Sequence, residues 1–209
     1  MTIGIIDYGM GNLLSVKNAV EYLGFDAELI NDSEELETYD KLILPGVGSF
    51  PDCMNNLQSK NFIAKLNQLV LINKKPILGI CLGMQVMACK GFENTETNGL
   101  GWIDGVVELI KPDNINCRIP HVGWSETNCT NSFLFNNIKG NPEFYYVHSY
   151  YMNCKNNENV IATFNHGGVF TSAVSKENII GCQFHPEKSQ EHGLTLLNNF
   201  IHHNFNGDE

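Results

Sequence analysis

The stretch from Pro76 to Gln85, Pro-Ile-Leu-Gly-Ile-Cys-Leu-Gly-Met-Gln, limits the possible folds of this chain more than any other. Pro76 to Ile80 is a short apolar run of the kind that forms a buried strand. Leu82 to Lys90 has the apolar spacing of a helix. Cys81 then falls on the turn between them, with Gly79 and Gly83 two residues to either side. Glycine relieves crowding where a strand turns sharply into a helix. Gly-x-Cys-x-Gly therefore has the spacing of a nucleophile elbow, with cysteine in place of serine. Such a turn aims the free N–H groups and partial positive charge of a helix start at the sulfur, which favours a thiolate and can hold an oxyanion. The competing reading is a core cysteine between two strand-terminal glycines, and a partner motif elsewhere decides against it.

The first half of the chain has the alternation of a parallel α/β sheet. Thr2 to Asp7 reads as a strand, Tyr8-Gly9-Met10-Gly11 as a loop, and Leu13, Val16, Val20 and Leu23 as a helical stripe with Asn12 as its N-cap and Gly24 at its end. The loop lacks the full G-x-G-x-x-G spacing of a dinucleotide site. Strands are expected at Asp26 to Ile30 and Tyr39 to Leu44. The second runs into Pro45-Gly46-Val47-Gly48-Ser49-Phe50, whose glycines let a backbone N–H turn toward a ligand. Pro51 to Asn73 carries a long helical pattern. After Gly91 the pattern changes to short strands with hairpin-like links: Val106 to Ile110, Phe144 to Val147, Val160 to Phe164, Val169 to Val174 and Ile179 to Phe184. Pro120 to Trp124 reads as a loop followed by a polar, Asn-rich surface stretch, and Gly193 to Phe205 as a helix that packs back on the sheet. The expected fold is α/β and three-layered, in a single domain over 1–209. A mostly parallel central sheet carries helices on both faces and added antiparallel strands in the C-terminal half.

Charge and cysteine usage narrow the function. A formal charge of −10, with Arg118 the only arginine, argues against nucleic acid as the main partner. The seven cysteines are scattered and form no Cys-x-x-Cys, which fits reduced thiols better than a disulfide framework or zinc site. No His-Glu-x-x-His spacing occurs, so neither metal nor cofactor is expected. No apolar run reaches membrane-spanning length and no signal-peptide pattern is seen, so a cytoplasmic location is expected.

The partner motif for Cys81 lies about 100 residues on. His185 follows an apolar strand, as Cys81 does, and the carboxyl ends of parallel strands form the ligand crevice of open α/β sheets. An imidazole beside a cysteine takes its proton and stabilises the thiolate. Glu187, two residues further with Pro186 between, can accept Nδ1–H of His185 and set its tautomer. An ordinary surface turn is the bland reading of His185-Pro186-Glu187. The match of two strand ends weighs against it.

Gly79-Ile80-Cys81-Leu82-Gly83-Met84-Gln85, taken with Gln183-Phe184-His185-Pro186-Glu187, resembles the class I, triad-type glutamine amidotransferases. The resemblance implies Cys81 as nucleophile toward the glutamine side-chain amide, His185 as general acid and base, and Glu187 as its orienter. It implies oxyanion donors from the backbone N–H of Leu82 and from Gly46, Val47 or Gly48, with Gln85, Glu93 and His148-Ser149-Tyr150 around the substrate. Four motifs resemble more narrowly the glutaminase-subunit family of imidazole glycerol phosphate synthases: Ile6 to Leu13, Leu44 to Phe50, Pro120 to Trp124, and Gln183 to Ser189. That resemblance implies a heterodimer with a (β/α)8-barrel cyclase subunit (HisF-type), ammonia delivery to it, and activation by the loaded barrel through a reoriented peptide near Gly46–Gly48. Tyr8, Met10, Asn12, Trp124 and Lys188 are the candidates for the partner face. Two alternatives stay open here: a paralogous glutaminase feeding a different synthase, such as a sugar-modifying amidotransferase, and a cysteine-elbow hydrolase. The order His185 before Glu187 disfavours an α/β-hydrolase triad.

Overall fold

The computed structural model describes residues 1–113 and 117–205. Its first half runs β1 (Thr2–Ile6), α1 (Leu13–Tyr22), β2 (Asp26–Ile30), β3 (Lys41–Gly46), α2 (Phe50–Ser59), α3 (Phe62–Asn67), β4 (Ile77–Cys81) and the one-turn helix α4 (Leu82–Gln85). Short strands β5 (Ala88–Gly91), β6 (Thr97–Asn98) and β7 (Ile103–Leu109) follow. The chain continues through β8 (His121–Cys129), β9 (Glu143–His148), β10 (Tyr150–Cys154), β11 (Val160–Asn165), β12 (Val169–Lys176) and β13 (Ile179–Cys182). It then ends its regular structure in α5 (Gln190–His202).

Among the described residues these strands form two sheets. The larger has the order β2-β1-β3-β4-β13-β12-β11-β8-β9. Its β2-β1-β3-β4-β13 part is parallel, and from β13 onward every pairing is antiparallel. A four-stranded sheet, β10-β7-β5-β6, lies apart from it in the hydrogen-bonding pattern. Strand alternation divides the core, because successive side chains leave a strand on opposite faces. Ile3, Ile5, Ile43, Leu78 and Ile80 pack with Val16 and Val20 of α1 and Leu196, Leu197 and Phe200 of α5. Ile6, Leu42, Leu44 and Ile77 pack on the other side with Leu57 of α2, Phe62 and Leu66 of α3, and Trp102. The fold is thus the expected one, helices on both faces of a mixed sheet. No helix among the described residues is long and apolar enough to cross a membrane.

Several boundaries differ from the sequence reading, each for a physical reason. The helix expected over Leu82 to Lys90 stops at Gln85, because Ala88–Gly91 pairs with β6 and β7 instead. The window from Leu82 to Ala88 is buried on every side, so its apolar spacing did not distinguish helix from strand. The long helix expected over Pro51 to Asn73 is broken at Asn61, whose φ of 59° is left-handed, and it ends in a π-helical turn at Gln68–Ile72. The expected loop Pro120 to Trp124 and the polar stretch after it are instead strand β8, paired with β9 from His121↔His148 to Glu126↔Glu143. Asn12 holds the N-cap position of α1 without capping it through its side chain.

Candidate active site

The elbow is built as its spacing requires. Cys81 ends β4 with φ 55° and ψ −112°, a backbone region that side-chain-bearing residues rarely adopt. Strain of this kind costs about 1–3 kcal/mol and persists where the surroundings enforce it. Both glycines are needed. A Cβ on Gly83 would stand 1.8 Å from the carbonyl oxygen of Leu44, and one on Gly79 would stand 2.7 Å from that of Gly83. The first turn of α4 is therefore wedged directly against β3 and β4. At one turn, α4 offers the N–H groups of a helix start at the sulfur but little of a macrodipole, which grows with helix length.

His185 comes to Cys81 because β13 lies next to β4 in parallel register, Cys182 beside Ile80. The chain leaves β13 and turns at Pro186–Lys188. His185 Nδ1 donates to Glu187 Oε1 at 2.9 Å, with both side chains almost wholly buried. A carboxylate acceptor puts the proton of neutral His185 on Nδ1 and leaves Nε2 as the working nitrogen. Nε2 has no hydrogen-bond partner. Burial pulls the His185 pKa down, but the Cys81 sulfur beside it and the hydrogen-bonded, charged Glu187 carboxylate outweigh it and raise the value to about 9. Imidazolium beside a thiolate is the pair that can attack a carbonyl carbon and then hand a proton to the leaving amine. Asn12 Nδ2 makes a long 3.5 Å contact to the same Glu187 oxygen.

Cys81 and His185 share a cavity of about 290 Å³. Val47, Gly48, Leu82, Gln85, Glu93, His148, Ser149 and Tyr150 line it. Gly46 does not line it. It lies in register with Cys81 in the β3–β4 pairing, where a Cβ would meet Tyr8 Oη at 2.6 Å and the Gly83 nitrogen at 2.9 Å. The positive φ of Gly48, 107°, turns the chain over the cavity, and a Cβ there would meet Met10 at 2.6 Å. Glu93 Oε2 accepts from Phe50 N–H at 2.8 Å, at the start of α2, while the side chain also borders the cavity. Gln85 Nε2 donates to the Tyr150 carbonyl at 2.9 Å and to Gln183 Oε1 at 3.0 Å.

The candidates for a partner face separate. Tyr8 is fully buried and accepts from the Cys53 thiol at 3.3 Å, so it supports the Gly46 strand from beneath and is not surface. Asn12 and Met10 are half-buried beside Glu187 and Gly48 respectively. Trp124 is exposed and meets Tyr145 edge to face at 6.0 Å, and Lys188 lies over the same Tyr145 ring at 5.7 Å. Val122 and Val147, paired across β8 and β9, are exposed beside them. Sequence reasoning gave no role to Gln183, Pro120, Val147 or His121. A glutamine inside the apolar run from Ile179 to Phe184 was the legible signal for the first.

Comparison with known proteins identifies the family. Residues 4–204 match the model of the class-I glutamine amidotransferase family. The HisH subunit of imidazole glycerol phosphate synthase from Leptospira borgpetersenii is 44% identical over 201 residues, covering 95% of this chain and 98% of its own. HisH 2 from Methanococcus maripaludis is 46% identical over 200 residues with the same coverages. Among solved structures, a glutamine amidotransferase superposes with TM-score 0.74 at 18% identity, covering 95% of this chain and 96% of its own. PurLQS from Thermotoga maritima gives TM-score 0.74 at 19% identity, covering 96% and 97%. These two structural likenesses speak to the fold. The chain belongs to the class-I glutamine amidotransferases, and within them to the HisH subunit family of imidazole glycerol phosphate synthase.

Proposed function

We propose that this protein hydrolyses glutamine to glutamate and ammonia through Cys81, His185 and Glu187, and hands the ammonia to a separate cyclase subunit in histidine biosynthesis. The observation that carries the reading is the meeting of Cys81 and the His185–Glu187 pair at the ends of two adjacent parallel strands, in one cavity. Cys81 sulfur attacks the side-chain carbonyl carbon of glutamine and an oxyanion forms, held by the Leu82 N–H and an N–H of the Gly46–Gly48 segment. His185 gives its proton to the leaving nitrogen, the C–N bond breaks, and ammonia and a γ-glutamyl thioester result. Water then attacks, its proton passes to His185, and the C–S bond breaks to release glutamate. Gln85 borders the glutamine side chain. Glu93, with one oxygen occupied by Phe50 N–H, offers the other to the substrate ammonium.

The partner in this reading is a (β/α)8-barrel cyclase of the HisF type, which uses the ammonia to form imidazole glycerol phosphate and an aminoimidazole carboxamide ribotide. Two observations support a docking face near the cavity mouth: exposed Val122, Val147 and Trp124, and Lys188 beside them. Exposed aromatic anchors of this kind are enriched at binding hot spots. The test is glutamate release by the chain alone, with the barrel, and with the barrel and its ribotide ligand. Release should rise with the loaded barrel and vanish in Cys81→Ala. A Cys81-dependent rate that ignores the barrel would leave a glutaminase with a different acceptor.

A further inference from the structure

Gln183 has no part in the mechanism above, yet it is fully buried one residue past β13. Burying an amide is unfavourable unless its groups are paired, and a leucine or methionine would fill the same space without that demand. Its partners run in one line. The Tyr150 carbonyl can only accept, and it receives Gln85 Nε2 at 2.9 Å. That identifies the NH₂ end of Gln85, whose second N–H goes to Gln183 Oε1 at 3.0 Å. With its oxygen so engaged, Gln183 turns its own NH₂ to Cys81 Sγ, 3.7 Å away. Flipping either amide would set donor against donor or oxygen against oxygen, so the direction of the whole line is determined by one backbone carbonyl.

We propose that Gln183 is a positioning residue for the nucleophile: its side-chain N–H holds the Cys81 sulfur and favours the thiolate, and Gln85 holds Gln183 in the donating orientation. The inference rests on the reading of Cys81 as nucleophile. A hydrogen bond to the charged form of a group favours that form. The same donor acts twice in the cycle. It stabilises the attacking thiolate, and it stabilises the thiolate again when the thioester C–S bond breaks. No proton leaves Gln183 in either step. The titratable groups facing the sulfur are His185 after β13, Cys182 within β13 and Tyr8 after β1, with Glu187 behind His185. Gln183 is the neutral donor among them. The line also ties substrate to sulfur, because Gln85 borders the cavity and Gln183 lies behind it.

The test is alkylation of Cys81 by iodoacetamide as a function of pH in the full chain, followed on the peptide that carries Cys81, with Cys81→Ala as the blank. Gln183→Met removes the donor at nearly the same volume, and Gln183→Glu faces the sulfur with a carboxylate. The midpoint of alkylation should rise by about one pH unit in Gln183→Met, a tenfold lower rate at any pH below both midpoints, and further in Gln183→Glu. Equal midpoints in wild type and both variants would overturn the proposal. Should the variants melt at a much lower temperature, the side-chain amide resonance of Gln183 in the wild-type chain serves instead. It should move with the ionisation of Cys81 and shift in Cys81→Ala, and a resonance indifferent to both would equally overturn it. Glutamate release that does not depend on Cys81 would reject the glutaminase reading while leaving the alkylation result to be judged separately.

Discussion

At the scale of single residues, the site depends on two side chains kept in states that water would not choose. Cys81 sits at positive φ, and the close approach of Gly79 and Gly83 lets it stay there. His185 is held protonated by Cys81 and Glu187 against its own burial, with a pKa near 9. The alkaline limb of the rate profile should therefore report loss of the acid at about that pH. In Glu187→Gln the carboxylate that raises the value is gone, so the limb moves to lower pH. The maximal rate should fall about 10²-fold or more, the usual range for a disabled general acid. A rate profile in Glu187→Gln with its alkaline limb in the wild-type place would show that this pair does not set it. The residues of this scale were the easiest to read, since Cys81, His185 and Glu187 are adjacent to glycine or proline turns in short, rigid motifs.

At the scale of elements, the wedge of α4 against β3 is the tightest contact of the site. Gly83→Ala places a methyl on the Leu44 carbonyl, which must move by more than 1 Å. We expect about 3 kcal/mol of destabilisation and a larger loss of glutaminase activity, measured by urea unfolding and by glutamate release, because overpacking here displaces the oxyanion strand itself. The β8–β9 pair makes a second prediction. The Tyr150 carbonyl accepts from His148 Nδ1 at 2.8 Å, so neutral His148 presents Nε2 as acceptor to His121 Nδ1 at 3.1 Å. His121 Nε2 then accepts from the Ser125 hydroxyl at 2.8 Å. Both rings are kept neutral. Burial, helped by neighbouring histidines, lowers His121 to about 4 and His148 to about 3. An unfolded histidine titrates near 6.5, so the unfolded chain binds more protons in the interval below that value. This contribution is whole above pH 6.5 and is lost as pH falls toward 4, by at most about 1.4 kcal/mol per pH unit for each ring. Urea midpoints should drop between pH 6.5 and 4.5, and less steeply in His121→Gln. Parallel slopes in the two proteins would contradict the assignment.

At the scale of the whole molecule, β8, lying between β11 and β9, inverts over its first half the usual pattern of a strand with one face on the core. Its inward face carries His121, Ser125 and Thr127, which join polar networks, among them Thr127 Oγ1 to Tyr146 Oη at 2.6 Å. Its outward face carries Val122 and Trp124. Apolar Val122 and Trp124 outside and polar groups inside hid this strand from periodicity, and in the proposed complex the cyclase barrel covers that apolar patch. Trp124→Ala should weaken the complex with the cyclase barrel by roughly tenfold or more, the scale of a hot-spot truncation. Titration of labelled barrel would measure it. Melting temperature and Cys81 alkylation of the free chain should stay unchanged. An unaltered dissociation constant would move the docking face elsewhere.

By itself, the sequence determined what local chemistry controls: the glycine-flanked turn that bends the chain at Cys81, the last residue of β4, the Pro186 turn that sets Glu187 against His185, and the alternation that makes the first half a parallel sheet. These follow from backbone sterics and from periodicity, which act over a few residues. Only the tertiary structure decided where a locally ambiguous run belongs. Ala88–Gly91 became strand because β6 and β7 supply its hydrogen bonds, and His121–Cys129 became strand because β9 and β11 do. It also decided that Tyr8 is a buried support of the Gly46 strand, and that Gln183 faces sulfur. Such outcomes depend on partners distant in the chain, and a buried polar side chain becomes intelligible only once the atoms that satisfy it are in place.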